Sequence, residues 1–323
     1  PAMGSGLLAT GVNITYSCSW PAYLGDNETT KPWGDIINAA CQTWRNWDDI
    51  QCGWDSLASI IEHWGTYGAY LASFAGPSVI HDPDMLLIGN TCISDDEART
   101  QMAIWSIVMA PLLMGNDLRN VSASTAAILL NAEAVAVNQD AAARMGYRVS
   151  PSAATEVWAR NLTGGNVAVA LFNKLGGSPP PAPPACPTWN ITTDGYLEAC
   201  GGGSGDLACF TGVALDDALA YCCGNPSCAG FSYAPDGESG CYKTNTACGF
   251  TNATGYMGFD KPSFTPTNGT PANITLTFAD VGLTGAVAVR DLWAHADLGT
   301  FTGTYTALNV PFHGSAFLRL SPA

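Results

Sequence analysis

Basic residues are scarce. Twelve Lys and Arg stand against 27 Asp and Glu, a formal net charge of −15, so the chain lacks the positive surface that nucleic-acid phosphates demand. Histidine is scarcer still, with four scattered copies, which argues against zinc held by paired Cys and His at ligand spacing. No metal and no organic cofactor is implied. Long apolar runs are missing too: none approaches the ~20 residues that span a bilayer, so no membrane partner is expected. Nor does a leader open the chain, since Pro1-Ala2-Met3 is not followed by the charged stretch and apolar core of a signal peptide. A segment N-terminal to Pro1 is therefore expected to be missing.

What is present points to an oxidising compartment. Twelve cysteines are too many for a reducing one. N-x-S/T triplets, which in such a compartment read as surface glycan acceptors, begin at Asn13, Asn27, Asn120, Asn161, Asn190, Asn252, Asn268 and Asn273. The expected location is outside the cell or in a lysosome-like or vacuole-like organelle.

Two textures divide the sequence. Residues 1–141 alternate short apolar runs with longer helical stretches, the pattern of βα units. Strands are predicted at 12–18 and 109–114. Helices are predicted at about 54–64, where Leu57, Ile60, Ile61 and Trp64 share a face, and at about 96–107, behind the capping residues Ser94 to Glu97. From about 142 the alternation turns to period two, at 156–160, 166–171, 273–278 and 317–320, which reads as antiparallel β. That β domain, 142–179 and 262–323, is interrupted by residues 180–261. The interruption opens on a proline-rich stretch at 179–184, a stiff spacer, and carries eight of the twelve cysteines: Cys186, Cys200, Cys209, Cys222, Cys223, Cys228, Cys241 and Cys248. Bridges are expected to staple a module too small for a large core. Its segments 222–233 and 241–243 resemble apple/PAN-type modules, which bind proteins or glycans; an inert spacer is the alternative.

Three segments concentrate acids, aromatics and an arginine at what read as strand ends: 17–23, 44–50 and 81–90. Each alone is ordinary. Asp82-Pro83-Asp84 has turn chemistry, and Arg45 with Asp49 is a plain ion pair. Together, in this order and spacing, they resemble glycoside hydrolase family 27, the α-galactosidases and α-N-acetylgalactosaminidases. The likeness covers 1–178 and 262–323 and extends to Asn138-Gln139-Asp140 and Arg290-Asp291-Leu292-Trp293.

The resemblance implies an α/β plus all-β fold: the C-terminal half of a (β/α)8 TIM barrel followed by an antiparallel β-sandwich, interrupted here by the disulfide-rich module. It implies a retaining exo-α-glycosidase acting on terminal α-linked N-acetylgalactosamine or galactose, homodimeric when complete. By motif, Asp49 matches the general acid/base, with Trp44 and Trp47 expected to wall it off from water and so raise its pKa. Arg45, Asp84, Met85 and Tyr23 match sugar-pocket residues. Ser19 and Ala22 occupy the positions where the α-galactosidase branch carries Glu and Leu, and so resemble the α-N-acetylgalactosaminidase branch. Cys18 and Cys41 match a family bridge. Cys52 and Cys92 depart from the pattern; a bridge between them is the simplest account, a reactive thiol the lesser one. The family's nucleophile segment, of Lys-x-Asp-Gly-Cys type, is not found. The polypeptide by itself is therefore expected to be inactive and, with half a parallel barrel exposed, poorly folded. The competing reading is a non-catalytic, lectin-like glycan binder.

Overall fold

A computed structural model describes residues 2–119, 121–152, 154–174, 190–197, 206–215, 218–219, 222, 228–243, 250–260 and 270–323. The proline-rich stretch at 179–184 and Cys186, Cys200, Cys223 and Cys248 lie outside them. The chain divides into two units, Pro1–Pro179 with Gly269–Ala323, and Pro180–Asn268.

The first unit begins with helix α1 (Ala2–Ala9), followed by strand β1 (Ser17–Cys18), helix α2 (Trp33–Asn38), strand β2 (Thr43–Arg45), helix α3 (Trp54–Leu71) and strand β3 (Ile80–Asp82). β1, β2 and β3 form a parallel sheet in that order. Helices α4 (Asp95–Ile107), α5 (Ala123–Leu129) and α6 (Ala132–Asn138) follow. Parallel neighbours need a crossover, and α2 and α3 supply it. α3 buries Leu57, Ile60, Ile61, Trp64 and Leu71, so its apolar face continues past the predicted end at 64. α4 starts on a capping box in which the Ser94 hydroxyl accepts from the Glu97 amide and Glu97 accepts from the Ser94 amide at 2.7 Å.

Two predicted strands are corrected. Of 12–18 only Ser17 and Cys18 form a ladder, because β2, the one strand beside β1 among the described residues, begins at Thr43; the Tyr16 carbonyl accepts the Gln42 amide at 3.0 Å just before it. The run 109–114 makes a single parallel bridge, Leu86 with Met114. Pro111 has no N–H to donate, and Met109 adopts a φ of +58° that breaks an extended run.

The antiparallel part opens with β4 (Tyr147–Pro151), β5 (Thr155–Asn161) and β6 (Val167–Asn173). The chain then enters the second unit as β7 (Asn190–Leu197), β8 (Asp206–Phe210), β9 (Gly230–Ala234), β10 (Ser239–Lys243) and β11 (Phe250–Asp260). It returns as β12 (Ala272–Thr277), β13 (Ala286–Asp291), β14 (Ala296–Thr302), β15 (Thr304–Val310) and β16 (Ser315–Pro322). In the first unit a six-stranded sheet, β14-β13-β16-β6-β5-β4, packs on the pair β12-β15. Strand β6 is buried along its whole length because it serves two cores. Val167, Val169 and Leu171 join the sandwich interior, while Ala168, Ala170 and Phe172 join the core of the helical layer. The two-residue period of a strand produces this division.

Ionic contacts sew the helices to the sandwich. Arg148 on β4 bonds Glu62 of α3 at 2.9 Å and the buried Glu156 of β5 at 2.7 Å. Arg290 on β13 grips Glu133 of α6 at 2.6 Å. Both partner carboxyls are held down to about 2: partial burial pushes Glu62 up but the bonds and charges of Arg148 and Lys174 together outweigh it, while at Glu133 the Arg290 bond leads.

Among the described residues, the second unit forms a five-stranded antiparallel sheet, β7-β11-β9-β10-β8. Phe231 stacks on Phe259 at 4.6 Å in its core. Cys209 and Cys241 stand opposite each other on β8 and β10 and are bonded, and Cys222 is bonded to Cys228.

Candidate active site

All three parallel strands end in the same direction, and the candidate residues follow those ends. Ser19 comes directly after β1, and Ala22 and Tyr23 lie on the 3-10 turn Trp20–Leu24. Arg45 is the last residue of β2 and Asp49 lies four residues on. Asp84 and Met85 follow β3. Ligand sites of parallel α/β sheets form at the carboxyl ends of strands, where loops from neighbours converge.

Arg45 organises the cluster. Its Nη1 bonds Asp84 Oδ2 at 2.8 Å and its Nη2 bonds Asp49 Oδ1 at 3.0 Å. Nη2 also donates to the Asp48 carbonyl at 2.7 Å. One planar guanidinium thus joins the loops after β2 and β3, which a lysine ammonium does not reproduce. Asp84 is fixed on every side. Its Oδ2 accepts the Ile50 amide at 2.9 Å and its Oδ1 the Met85 amide at 2.7 Å. Trp105 of α4 donates its indole N–H to the Asp84 carbonyl at 2.8 Å. Gln101, one turn earlier, donates to the Met85 carbonyl at 3.1 Å and accepts from the Leu87 amide at 2.8 Å. Asp84 has φ +84°, a conformation that costs a non-glycine residue roughly 1–2 kcal/mol and is kept where the surroundings over-determine it.

Beneath Asp84 lies Asp82, buried, its Oδ1 accepting the Asp84 amide at 2.9 Å. Burial raises its pKa, against the lowering effects of that amide and of Arg45. His81 is buried and neutral: Nδ1 accepts from the Trp44 indole at 2.9 Å and Nε2 donates to the Leu71 carbonyl at 3.1 Å. Desolvation drives its pKa down to about 3.

The bridges sit around this cluster. Cys18 is bonded to Cys41, and Cys52 to Cys92. The second ties the loop three residues after Asp49 to the loop after Met85.

Several placements differ from the sequence reading. Trp44 is fully buried, 6.0 Å from Trp33 and edge-on to His81, so it forms no wall beside Asp49. Trp47 stacks on His63 with 4.2 Å between ring centroids. The Asp49 side chain is 78% exposed, so the described residues do not wall it off from water. Among them no hydrogen bond or ion pair joins Ser19, Ala22 or Tyr23 to the Arg45 cluster; Tyr23 is 83% exposed and Met85 42%. A cavity of about 700 Å³, lined by Leu7, Val12, Ile14, Ile80 and Leu113 among others, shares Asp82 with the cluster and none of Arg45, Asp49 or Asp84.

The supporting roles of His81, Gln101 and Trp105 escaped the sequence reading. Gln101 carried a signal: a neutral polar residue amid the apolar run of α4 must find buried partners.

Comparisons with known proteins agree on the region. Residues 1–140 match the family model described as alpha galactosidase A. Residues 143–185 match the alpha galactosidase A C-terminal beta sandwich domain, and 244–320 the alpha galactosidase C-terminal beta sandwich domain. Alpha-N-acetylgalactosaminidase of Gallus gallus is 42% identical over 175 residues, 54% of this chain and 43% of that protein. Alpha-galactosidase A of Homo sapiens is 40% identical over 177 residues, 54% and 41% of the two chains. The matched region thus spans less than half the length of these relatives. Among solved structures, alpha-galactosidase I of Mortierella vinacea superposes with a TM-score of 0.63 at 20% identity, over 100% of this chain and 62% of that one. That likeness is one of fold.

Proposed function

This chain belongs to glycoside hydrolase family 27, of which it carries the C-terminal region, and from that premise we propose that it supplies the acid/base half of a retaining exo-α-glycosidase. The proposed architecture is the second half of a (β/α)8 barrel, residues 1–141, followed by the β-sandwich of 142–179 and 262–323. The proposed substrates are glycans ending in α-linked N-acetylgalactosamine or galactose, the two sugars in the relatives' names. The observation that carries the reading is the Arg45 guanidinium joining Asp49 and Asp84 at the ends of adjacent parallel strands.

In this reading Asp49 protonates the glycosidic oxygen as the bond breaks, then removes a proton from the water that attacks the glycosyl-enzyme. The nucleophilic carboxylate stands about 5 Å away in a retaining enzyme. It belongs to the first half of the barrel, so these residues by themselves are inactive. Arg45 donates to a sugar hydroxyl and the fixed Asp84 carboxylate accepts from two others. A sugar lacking those hydroxyls then leaves buried polar groups unpaired. Asp49 is open to solvent here; the bound sugar and the rest of the barrel supply the dry surroundings that a general acid near neutral pH needs. The twelve cysteines and the described bridges support a secretory destination, extracellular or lysosome-like.

Ser19 and Ala22 set the sugar preference in this proposal. Both are small and lie past the end of β1, leaving room for a 2-acetamido group whose methyl meets Ala22 and whose amide meets Ser19. The full-length enzyme should favour α-N-acetylgalactosaminides over α-galactosides in kcat/KM by about 10-fold, the scale of one or two apolar contacts. Ser19→Glu with Ala22→Leu should invert that ratio. An unmodified enzyme that prefers galactosides, or a ratio unmoved by the double change, removes these residues from the account.

The Cys-rich unit has its own sheet, core and bridges and is proposed to bind protein or glycan outside the hydrolytic step. Replacing 180–261 with a short Gly/Ser linker should leave kcat/KM on a small aryl glycoside within about 3-fold, since a self-stapled module leaves without opening a core. A folded variant with collapsed activity refutes that independence.

A further inference from the structure

The segment carrying Asp49 rests on buried charge. Glu28 and Lys31, on the turn before α2, and His63, on α3, are all buried. Lys31 Nζ donates to Glu28 Oε1 at 2.9 Å and also to the carbonyl of Asn46. His63 Nε2 donates to the same Glu28 oxygen at 2.7 Å, and its ring lies flat on Trp47, the planes 5° apart. The Trp33 indole holds the Glu28 carbonyl at 2.9 Å.

Filling a core with ions is costly. Each loses several kcal/mol of hydration, and well-packed apolar residues commonly stabilise a fold as well or better. Apolar residues cannot, however, hold a backbone carbonyl or fix a ring through a hydrogen-bonded imidazole. Lys31 and His63 do these two things at Asn46 and Trp47, three and two residues ahead of Asp49. Arg45 holds the next carbonyl, that of Asp48. Three successive residues leading to Asp49 are thus anchored, although the Asp49 side chain itself is exposed.

We propose that Glu28, Lys31 and His63 are positioning residues that set the placement of Asp49 for proton transfer. The inference rests on the reading of Asp49 as the acid/base. Proton transfer needs the donor within about 2.6–3.2 Å of the leaving oxygen, and a displacement of about 1 Å can cost ~100-fold. An unanchored segment therefore loses rate where protonation matters and keeps it where the leaving group departs unaided.

The test uses the full-length enzyme in two variants. Glu28→Gln with Lys31→Met removes the anchor on Asn46 while leaving no buried charge unpaired between them. His63→Leu removes the ring contact and keeps the Lys31–Glu28 pair. For each, kcat/KM is measured on an alkyl glycoside and on a dinitrophenyl glycoside, beside Asp49→Ala. The expected result is a fall of about 10–100-fold on the alkyl glycoside and less than about 3-fold on the dinitrophenyl one. A merely structural role lowers the folded fraction and scales both substrates equally; that outcome, or no loss on either, overturns the proposal. If the double variant does not fold, His63→Leu decides alone. Should Asp49→Ala show leaving-group dependence while these variants do not, only the positioning role falls. Should Asp49→Ala show none, the acid/base reading falls first.

Discussion

Asp49→Ala in the full-length enzyme should lower kcat/KM on alkyl glycosides by about 10³-fold or more and on dinitrophenyl glycosides by less than about 10-fold. General acid catalysis contributes roughly 10²–10⁴, and only a leaving group of high pKa needs it. kcat on the activated substrate should still fall, because the same carboxylate assists water in the second step. KM should fall with it as the glycosyl-enzyme accumulates, so kcat/KM is the quantity that isolates protonation. The thermal midpoint should hardly move, since Asp49 is exposed and its ion pair with Arg45 is of a class worth about 0–1 kcal/mol. Equal losses on both substrates assign Asp49 a different task.

Arg45→Met should give a different pattern, about 10²–10³-fold lost in kcat/KM even on the dinitrophenyl glycoside, and more on the alkyl one because the Asp48 carbonyl beside Asp49 is also released. Its guanidinium touches the proposed pocket at two points and leaves Asp84, 11% exposed, without its cation once removed. Truncating one partner of a buried, hydrogen-bonded charge pair typically costs about 2–5 kcal/mol. Arg45→Lys should recover little, because an ammonium cannot bond Asp49 and Asp84 together in the fork geometry. A variant with full activity on both substrates would falsify the pocket assignment of Arg45.

The legible parts of the sequence were local ones. α4 was announced by Ser94 and Glu97, and β12 by the alternation read at 273–278, where Ile274 and Leu276 are buried while their neighbours are exposed, although Phe278 falls on the 3-10 turn Phe278–Val281. The three motif segments were visible because Asp, Arg and Trp cluster where short strands stop. Long-range pairing was hidden. Residues 12–16 have strand composition but form no ladder, Tyr16 bonding Gln42 just short of β2, and Trp44 sits in a three-residue strand too short for its facing to be read. Glu28 and His63 meet across 35 positions; the faint signal was a histidine on the apolar face of Ile60, Ile61 and Trp64. The second unit showed its cysteines in the sequence, yet the opposed pair Cys209 and Cys241 depends on a β8–β10 register that spacing cannot give.

Azide offers the most direct measurement. In a retaining enzyme stripped of its acid/base, the glycosyl-enzyme still forms from an activated substrate, but water attacks slowly without its base. Azide needs no deprotonation and attacks from the face that water would use. Full-length Asp49→Ala turning over a dinitrophenyl α-glycoside in azide should therefore release an α-glycosyl azide, identified by proton NMR, with turnover restored in proportion to azide. Free sugar with no azide adduct, or a β-azide, contradicts the assignment of Asp49 as the acid/base of a retaining α-glycosidase.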